Sequence, residues 1–323
     1  MPLVGTIGIA LAAMLQTTEC TLPSADSAWI ASALDGWKRQ SARVLGKEVR
    51  KYPTLVLFDE RCTHTLTPTS RSARFVAGTK RFAVASIAHG DSIALPDGSR
   101  IPAALTSFAS PQKDGTMSFV MALPSIWLTS SKGPRSDLLT TAVFMHEFTH
   151  TQNIALGQFV DTLVSRGLPE DSDDDVIQTK FGDRPGFTDA YSAERDVLYQ
   201  AVAATSVGQA RVLGAKALAM MDRRRAQNFR GADMIYAQTE DLFLSMEGAG
   251  QWFAYLWLVD PKGGAMTSAE ALTFIRRGGR RWSQDEGLAL LLLASRLSPS
   301  APRALFASTP HTILPLLKCL TVR

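Results

Sequence analysis

The feature that most constrains the fold is a change in hydrophobic pattern near residue 135. Residues 52 to 130 carry short apolar runs separated by turn residues, such as "YPTLVLFDE" and "TMSFVMALPSIWL". Runs of this length, bounded by proline, glycine or charged residues, are typical of β-strands. After residue 136, apolar residues recur every three or four positions, which is typical of amphipathic helices. The sequence therefore predicts an α+β fold, with a small N-terminal β-sheet followed by a mainly helical body.

Turn residues and periodicity place the elements within these two parts. A hairpin is predicted at "SIALPDGSRIP", where Pro-Asp-Gly separates two apolar segments. Helices are predicted at "DVLYQAVAATS", "ARVLGAKALAMMDRRRAQNF", "TEDLFLSMEGAGQWFAYLWLV", "SAEALTFIRRG" and "SQDEGLALLLLASRL". The chain of 323 residues is long enough for one large or two modest domains. We predict a β-rich part over 29–135 and a helical part over 136–323, together forming one compact unit.

The N-terminus opens with "MPLVGTIGIALAAML", an uncharged apolar run. Its length suits the apolar region of a signal peptide and is too short to cross a membrane. Ala25-Asp26-Ser27 offers small residues for cleavage, so we predict a signal peptide over 1–28 and export to the periplasm or medium. No lysine or arginine precedes the run, so a buried N-terminal helix of a cytoplasmic protein stays open. No other stretch has the length of a membrane span.

The three cysteines are Cys20, Cys62 and Cys319. If Cys20 is removed with a leader, Cys62 and Cys319 remain as a pair that an oxidising compartment would join. The alternative is two unpaired thiols.

The segment "TAVFMHEFTHTQN", residues 141 to 153, holds two of the five histidines with a glutamate beside the first. The pattern His-Glu-any-any-His arises in roughly 0.2% of shuffled versions of this composition, so it is informative. A spacing of four places His146 and His150 on one face of a helix, where both imidazoles reach one ion. Asp137 is predicted to cap this helix, which runs on through residue 156. Uncharged neighbours of the motif favour a buried helix over a surface helix.

Catalytic zinc takes three protein ligands, so a further residue is needed. The compact pattern with a third histidine six residues later is excluded, because residues 151–156 read "TQNIAL". The motif resembles that of the gluzincin branch of zinc peptidases, whose third ligand is a distant glutamate. Glu247 lies in "MEGAGQ", which is similar to the Glu-Gly-any-Ala segment of several gluzincins, with Gly250 in place of alanine. Glu194 and Glu286 are the alternative third ligands.

The resemblance implies hydrolysis of a peptide bond in a peptide or protein substrate, with one catalytic Zn²⁺ and Glu147 as general base for a metal-activated water. It also implies that an edge strand before the motif helix binds the substrate backbone; residues 118–127 are placed for this, with a core strand as the alternative. The oxyanion stabiliser stays open among Tyr191, Tyr236, Tyr255 and the arginines of 223–225. The acidic residues 171–175 are predicted to form a solvated lid.

Two other functions compete with this prediction. The motif of a non-catalytic protein would be structural or metal-free, although a purely structural site has no need of Glu147. The net charge of +4 and the basic clusters "DRRR" and "RRGGRR" leave nucleic-acid binding as a third class. Aromatic residues do not interleave with these clusters, so we predict no nucleic-acid partner.

Overall fold

The computed structural model describes residues 20–46, 51–70, 73–112, 114–130 and 135–322. Within these ranges the chain opens with α1 (Ser24–Leu45), and the strands follow it. The strands are β1 (Thr54–Phe58), β2 (Cys62–Pro68), β3 (Phe75–Ala77), β4 (Lys80–Ala88), β5 (Ser92–Ala94), β6 (Arg100–Pro102), β7 (Ser107–Pro111) and β8 (Met117–Ala122).

The main sheet has six strands in the order β3-β4-β2-β1-β8-β7. β1 and β8 are parallel, and the other neighbours are antiparallel. The two remaining strands, β5 and β6, form a separate antiparallel hairpin. This hairpin confirms the turn predicted at Pro-Asp-Gly. β7 and β3 are the edges of the main sheet, and β8 is an interior strand.

Helices make up most of the rest of the chain. They are α2 (Pro124–Ser130), α3 (Ser136–His150), α4 (Ile154–Ser165), α5 (Val176–Phe181), α6 (Phe187–Ala203), α7 (Val207–Asn228), α8 (Ile235–Leu258), α9 (Ser268–Arg276), α10 (Trp282–Leu297) and α11 (Ile313–Val322). The five predicted helices correspond to α6 through α10. The α+β fold is confirmed; the last strand ends at Ala122 and α2 begins at Pro124, before the predicted boundary at 135/136.

The segment predicted to be extended up to residue 128 is a strand only as far as Ala122, because α2 begins at Pro124. Proline is favoured at the first helical position, where its fixed φ suits the helix and no N–H is required.

The motif helix α3 lies in the core, between the sheet and α8. Phe144 of α3 packs against Phe119 of β8, with ring centroids 4.9 Å apart. On another side, Trp37 of α1 donates from Nε1 to Thr149 Oγ1 at 3.0 Å. Met145 and Phe148 are fully buried. The structure therefore supports the buried helix and excludes the surface helix.

The cysteine pairing differs from the prediction. Cys20 and Cys62 form the disulfide, and Cys319 on α11 is free and exposed. Cys62 begins β2, while α11 packs against α7, α8 and α10, so Cys319 lies in the helical body, away from Cys62. A disulfide through Cys20 requires that any leader be cleaved before residue 20.

The predicted signal peptide falls partly outside the described residues, which begin at residue 20. Ala25-Asp26-Ser27, taken as the cleavage site, lies in the first turn of α1. Cleavage there would remove Cys20 and its disulfide, so this site is wrong for the disulfide-bonded protein. Within the described ranges, no helix has both the length and the apolar character needed to cross a membrane.

Candidate metal centre

Helix α3 presents both motif histidines in its final two turns. It ends at His150 rather than continuing to residue 156, and α4 begins at Ile154. The hydroxyl of Thr151 donates to the carbonyl of Phe148 at 2.7 Å, a local bond that competes with helix continuation. The predicted cap at Asp137 is also wrong. The N-cap residue is Arg135, and Asp137 lies inside the first turn of the helix. The C-terminal end of a helix carries a partial negative charge, which favours a cation beside it.

The two imidazoles converge with a carboxylate from α8. The Nε2 atoms of His146 and His150 lie 3.0 Å apart. Glu247 Oε2 lies 3.0 Å from His146 Nε2, and Glu247 Oε1 lies 3.3 Å from His150 Nε2. Around a tetrahedral zinc ion with bonds of about 2.0–2.1 Å, ligand atoms lie about 3.3–3.4 Å apart. The observed separations are within a few tenths of an ångström of that spacing, so this donor set of two nitrogens and one carboxylate fits zinc.

The structure brings Glu247, rather than either alternative, to the histidines. Glu194 accepts a hydrogen bond from Arg224 Nε at 2.8 Å. Glu286 is fully buried, and neither of its carboxyl oxygens has a hydrogen-bond partner among the described residues. Glu194 and Glu286 make no described contact with an imidazole, so they do not suit the role of third ligand.

Gly250 allows α8 to approach the motif helix. A Cβ at this position would lie 2.7 Å from Nδ1 of His146, which is closer than van der Waals contact permits. The glycine that departs from the gluzincin pattern is therefore required here, because the ring of His146 packs on the α8 backbone.

A second close contact explains the Glu-Gly pattern at Glu286. A Cβ on Gly248 of α8 would lie 2.6 Å from the carbonyl oxygen of Gly287 on α10. Gly287 thus serves a helix crossing, so its glycine does not mark Glu286 as a ligand.

The charges of the metal-free centre favour an ion pair. Burial raises the pKa of Glu247, but the charges of His150 and His146 outweigh it and lower that pKa to about 2. Burial lowers the pKa of His150 to about 4, although Glu247 opposes this. Burial also lowers the pKa of His146, but Glu247 outweighs it and the net shift is upward. Without metal, a proton on His146 neutralises Glu247, and a bound cation would replace that proton.

Glu147 lies beside the convergent ligands. Its Oε1 accepts a hydrogen bond from Ser107 Oγ on β7 at 3.1 Å. Burial raises the pKa of Glu147 to about 7, with His146 opposing and Glu247 adding to the rise. A carboxyl group with this pKa suits a general base near neutral pH. Ligand atoms of His146, Glu147 and His150 also lie within 4.8 Å of one another, but only Glu247 directly contacts both imidazole nitrogens, so Glu247 is the better third ligand.

Two glutamines support the Glu247 carboxylate, Gln284 directly and Gln251 through Gln284. Gln284 Nε2 donates to Glu247 Oε2 at 3.2 Å, and Gln251 Nε2 donates to Gln284 Oε1 at 2.7 Å. The sequence analysis missed both residues and Ser107. Gln251 lies one helical turn after Glu247 and was detectable by that spacing, whereas Gln284 and Ser107 carry no signal in the sequence.

The Nδ1 atoms of the two imidazoles, which face away from the convergent Nε2 atoms, lack hydrogen-bond partners in the described part of the chain. Nδ1 of His146 and Nδ1 of His150 are both buried. In metal sites the second ring nitrogen usually donates to a carboxylate or a carbonyl, which fixes the tautomer. Here the orientation of the rings comes from packing, with Gly250 against His146.

A cavity of ≈ 110 Å³ opens beside the centre. Its polar wall includes His146, Glu147 and Arg277, and its apolar wall comes from α2, α3, α8 and α9. The sequence analysis did not select Arg277. This residue lies directly after α9 with a φ of 48°, in the left-handed region that residues other than glycine rarely adopt.

The prediction that residues 118–127 bind the substrate as an edge strand is wrong. Residues 118–122 belong to β8, which is paired on both sides, with β1 and with β7. Residues 124–127 lie in α2. An interior strand has no free backbone groups for an added strand. The edge next to the motif helix is β7, whose Ser107 touches Glu147.

The residues proposed as oxyanion stabilisers do not line the cavity. Tyr191 is buried and donates from its hydroxyl to the carbonyl of Trp282 at 2.7 Å. Tyr236 is buried beneath Lys180, and Tyr255 packs against the core. Of the arginines at 223–225, Arg223 is exposed, whereas Arg224 and Arg225 pair with carboxylates.

In that cluster, the guanidinium of Arg224 contacts Glu194 and Glu240, and Arg225 contacts Glu240. The arginines from this predicted basic patch thus neutralise buried carboxylates in the helical body.

The acidic loop reaches the edge of the centre through Asp174. Burial raises the pKa of Asp174 to about 6, and the charge of Glu247 adds to the rise while His146 opposes it. Its neighbour Asp175 forms an ion pair with Arg281. The loop predicted to be a solvated lid is therefore partly buried at Asp174 and anchored at Asp175.

Comparison with models of known protein families, with curated proteins and with solved structures finds no match to this chain.

Proposed function

We propose that the protein is a zinc-dependent metallopeptidase. The observation that carries this proposal is the convergence of two imidazole nitrogens and the Glu247 carboxylate, with separations of 3.0 to 3.3 Å, beside a buried carboxyl group that is not needed as a ligand. Two histidines and one glutamate leave one position open on a four-coordinate zinc ion, which is the arrangement of catalytic rather than structural sites.

In this proposal His146, His150 and Glu247 hold the ion, and Gln284 orients Glu247. When bound, zinc supplies a Lewis acid that polarises a carbonyl and acidifies water. Glu147 accepts the proton of the attacking water and returns it to the leaving amine. Ser107 keeps the Glu147 carboxylate directed at the reacting centre through its hydrogen bond of 3.1 Å.

The substrate backbone is proposed to add to β7, the edge of the sheet next to Glu147. β7 pairs only with β8 among the described strands, so its outer backbone groups are available to an extended peptide. This replaces the interior segment 118–127 as the docking strand.

We also propose that the protein is exported. The Cys20–Cys62 disulfide supports this, because such bonds persist in oxidising compartments and are rare in the cytosol. The apolar run at the N-terminus is consistent with a leader that ends before Cys20.

The test is a Glu147→Gln variant, with metal analysis and a peptidase assay on the same preparations. We expect the variant to keep one zinc per chain and to lose hydrolysis by a factor of at least about 100, since a positioned base contributes that much or more. Glu170→Gln, at an exposed position, is the matched control and should keep both zinc and activity.

Two outcomes would contradict the proposal. Parent protein that binds no zinc at stoichiometric loading would favour a metal-free motif. Protein that binds zinc tightly and cleaves no peptide in a broad library would favour a structural ion that holds α3 to α8, the non-catalytic alternative.

A further inference from the structure

The cavity beside the metal centre ends at a cation without a partner. Arg277 lines it, and within the described ranges its guanidinium has neither an ion pair nor a hydrogen bond. The neighbouring basic residues are engaged elsewhere: Arg276 binds Asp285 with its Nε at 2.7 Å, and Arg281 pairs with Asp175. An unpaired guanidinium at the wall of an active-site cavity is suited to bind an anionic group of a ligand.

The charge balance of the cavity also points to an anion. Burial lowers the pKa of Arg277 and Arg280 lowers it further, while the charge of Glu147 opposes them. The residue as a whole is exposed, so its outer side meets solvent while its guanidinium is partly enclosed. A carboxylate bound beside this cation would offset the electrostatic cost of burying its charge, whereas a second cation would add to that cost.

The backbone of Arg277 adopts a left-handed conformation that is unfavourable for a residue other than glycine. Arg277, Gly278 and Gly279 have φ values of 48°, 72° and 70°. The two glycines adopt this region freely, but an arginine in it is strained by about 1–3 kcal/mol. Residues held in such conformations are concentrated at ligand sites, and this one ends α9 at the rim of the cavity.

The size and chemistry of the cavity limit what accompanies the anion. The remaining wall is mostly apolar, with Trp127 of α2, Val143 of α3 and Phe274 of α9 among its residues. An apolar cavity of about 150 Å³ holds a group the size of benzene, so ≈ 110 Å³ suits a single aliphatic side chain. The enclosed part of the cavity therefore has room for one side chain beside Arg277.

We propose that Arg277 binds the free carboxylate at the C-terminus of a peptide whose last side chain fills this cavity, which makes the enzyme a carboxypeptidase. The inference rests on the metallopeptidase proposed above. The last peptide C–N bond breaks, the oxygen of water bonds to the acyl carbon, and the proton held by Glu147 passes to the amine of the released amino acid. A bidentate pair between guanidinium and carboxylate fixes the terminal residue, so that only the preceding bond meets Glu147.

Binding tests the inference without requiring turnover. N-acetyl-L-leucine and its amide have the same side chain and differ only in the carboxylate, and both can be titrated into the full chain by NMR. We expect the acid to bind at least about tenfold more tightly than the amide, the low end of a charge-assisted hydrogen bond. Arg277→Gln should abolish that preference, and Arg277→Lys should keep part of it. Arg223→Gln, an exposed arginine on α7, removes the same charge and should leave the preference unchanged.

Assays of peptide hydrolysis distinguish a failure of the carboxylate site from a failure of the proposed peptidase function. The expected kcat/KM for an N-blocked dipeptide acid exceeds that for its amide by at least about tenfold, again only with Arg277 present. An Arg277-dependent preference for the acid without hydrolysis would retain the carboxylate site and reject the peptidase. Equal binding of acid and amide, binding of neither, or a preference that survives Arg277→Gln in a variant with parental circular dichroism, would overturn the inference.

Discussion

Glu286 offers a sharp test of the electrostatics of the helical body. The side chain is fully buried, and both carboxyl oxygens lack a hydrogen-bond partner in the described structure. Burial raises its pKa well above the ordinary value, and the charge of Glu194 adds to the rise. Arg224 opposes this, but its guanidinium is already paired with Glu194 and Glu240. We therefore expect Glu286 to be protonated in the folded protein at neutral pH.

This protonation has a definite linkage to stability. The unfolded glutamate has a pKa of 4.5, so keeping it neutral at pH 7 costs about 3.5 kcal/mol, at about 1.4 kcal/mol for each pH unit above 4.5. Because the folded pKa is the higher one, the contribution of Glu286 is most favourable below pH 4.5. It is lost as the pH rises towards the folded pKa. Glutamine has a similar shape and no charge, so Glu286→Gln removes this loss.

The assay is urea unfolding of metal-free protein, followed by far-ultraviolet circular dichroism at pH 5 and pH 7. The free energy of unfolding of Glu286→Gln should rise relative to that of the parent by about 2–3 kcal/mol between pH 5 and pH 7, so that the variant becomes relatively more stable. Any fixed cost of burying the amide is the same at both pH values and cancels in this difference. Zinc loading should not change, since Glu286 is not a ligand.

Glu194→Gln is the contrasting variant. It removes one of the two carboxylates that pair with a fully buried guanidinium, so it should destabilise the protein by up to about 3–5 kcal/mol. The assignment of the proton to Glu286 would be refuted if the difference in free energy of unfolding between Glu286→Gln and the parent did not change with pH, or if it decreased as the pH rose.

Three further predictions concern the metal centre and the N-terminus. Glu247→Gln should weaken zinc binding by at least about 100-fold, since losing a direct ligand exceeds the 10–100-fold effect of an outer partner; competition with a chelator measures this, and unchanged affinity would remove Glu247 from the site. Zinc affinity of the parent should fall by about tenfold per pH unit as the pH drops below the raised pKa of His146, because the ion must displace its proton; a flat profile between pH 5 and 7 would contradict this. Cys62→Ser opens a loop with a sequence separation of 42, which should lower the free energy of unfolding by about 4 kcal/mol in the chain-entropy account; calorimetry showing no change in Tm would argue against the disulfide.

Local pattern was enough to predict much of the architecture. Apolar periodicity switches from short runs to a three-to-four spacing near residue 135, and in the structure the last strand ends somewhat earlier, at Ala122, with helices following from Pro124. The Pro-Asp-Gly turn marked the β5–β6 hairpin for the same reason, because turn chemistry is a property of neighbouring residues. The segment at 118–127 was harder, since one apolar run contains the end of a strand and the start of a helix, and only Pro124 separates them.

Within the candidate site, the sequence by itself determined the part that one helix contains. His146, Glu147 and His150 share a face because four residues make about one turn, and that holds wherever the helix lies. Ranking Glu247 first among three glutamates rested on small residues around it, and Gly250 indeed allows the close approach of the two helices.

Only the tertiary structure decided what meets this face. Glu286 carries the same Glu-Gly signal as Glu247 but packs beside Glu194 and Arg224, because the glycine serves a helix crossing instead. Ser107 and Arg277 reach the cavity from a strand before the motif and from the end of α9, far apart in the chain. The cysteine partner was likewise chosen by which ends of α1, β2 and α11 lie together. Contacts of this kind depend on how elements pack, and no local spacing encodes them.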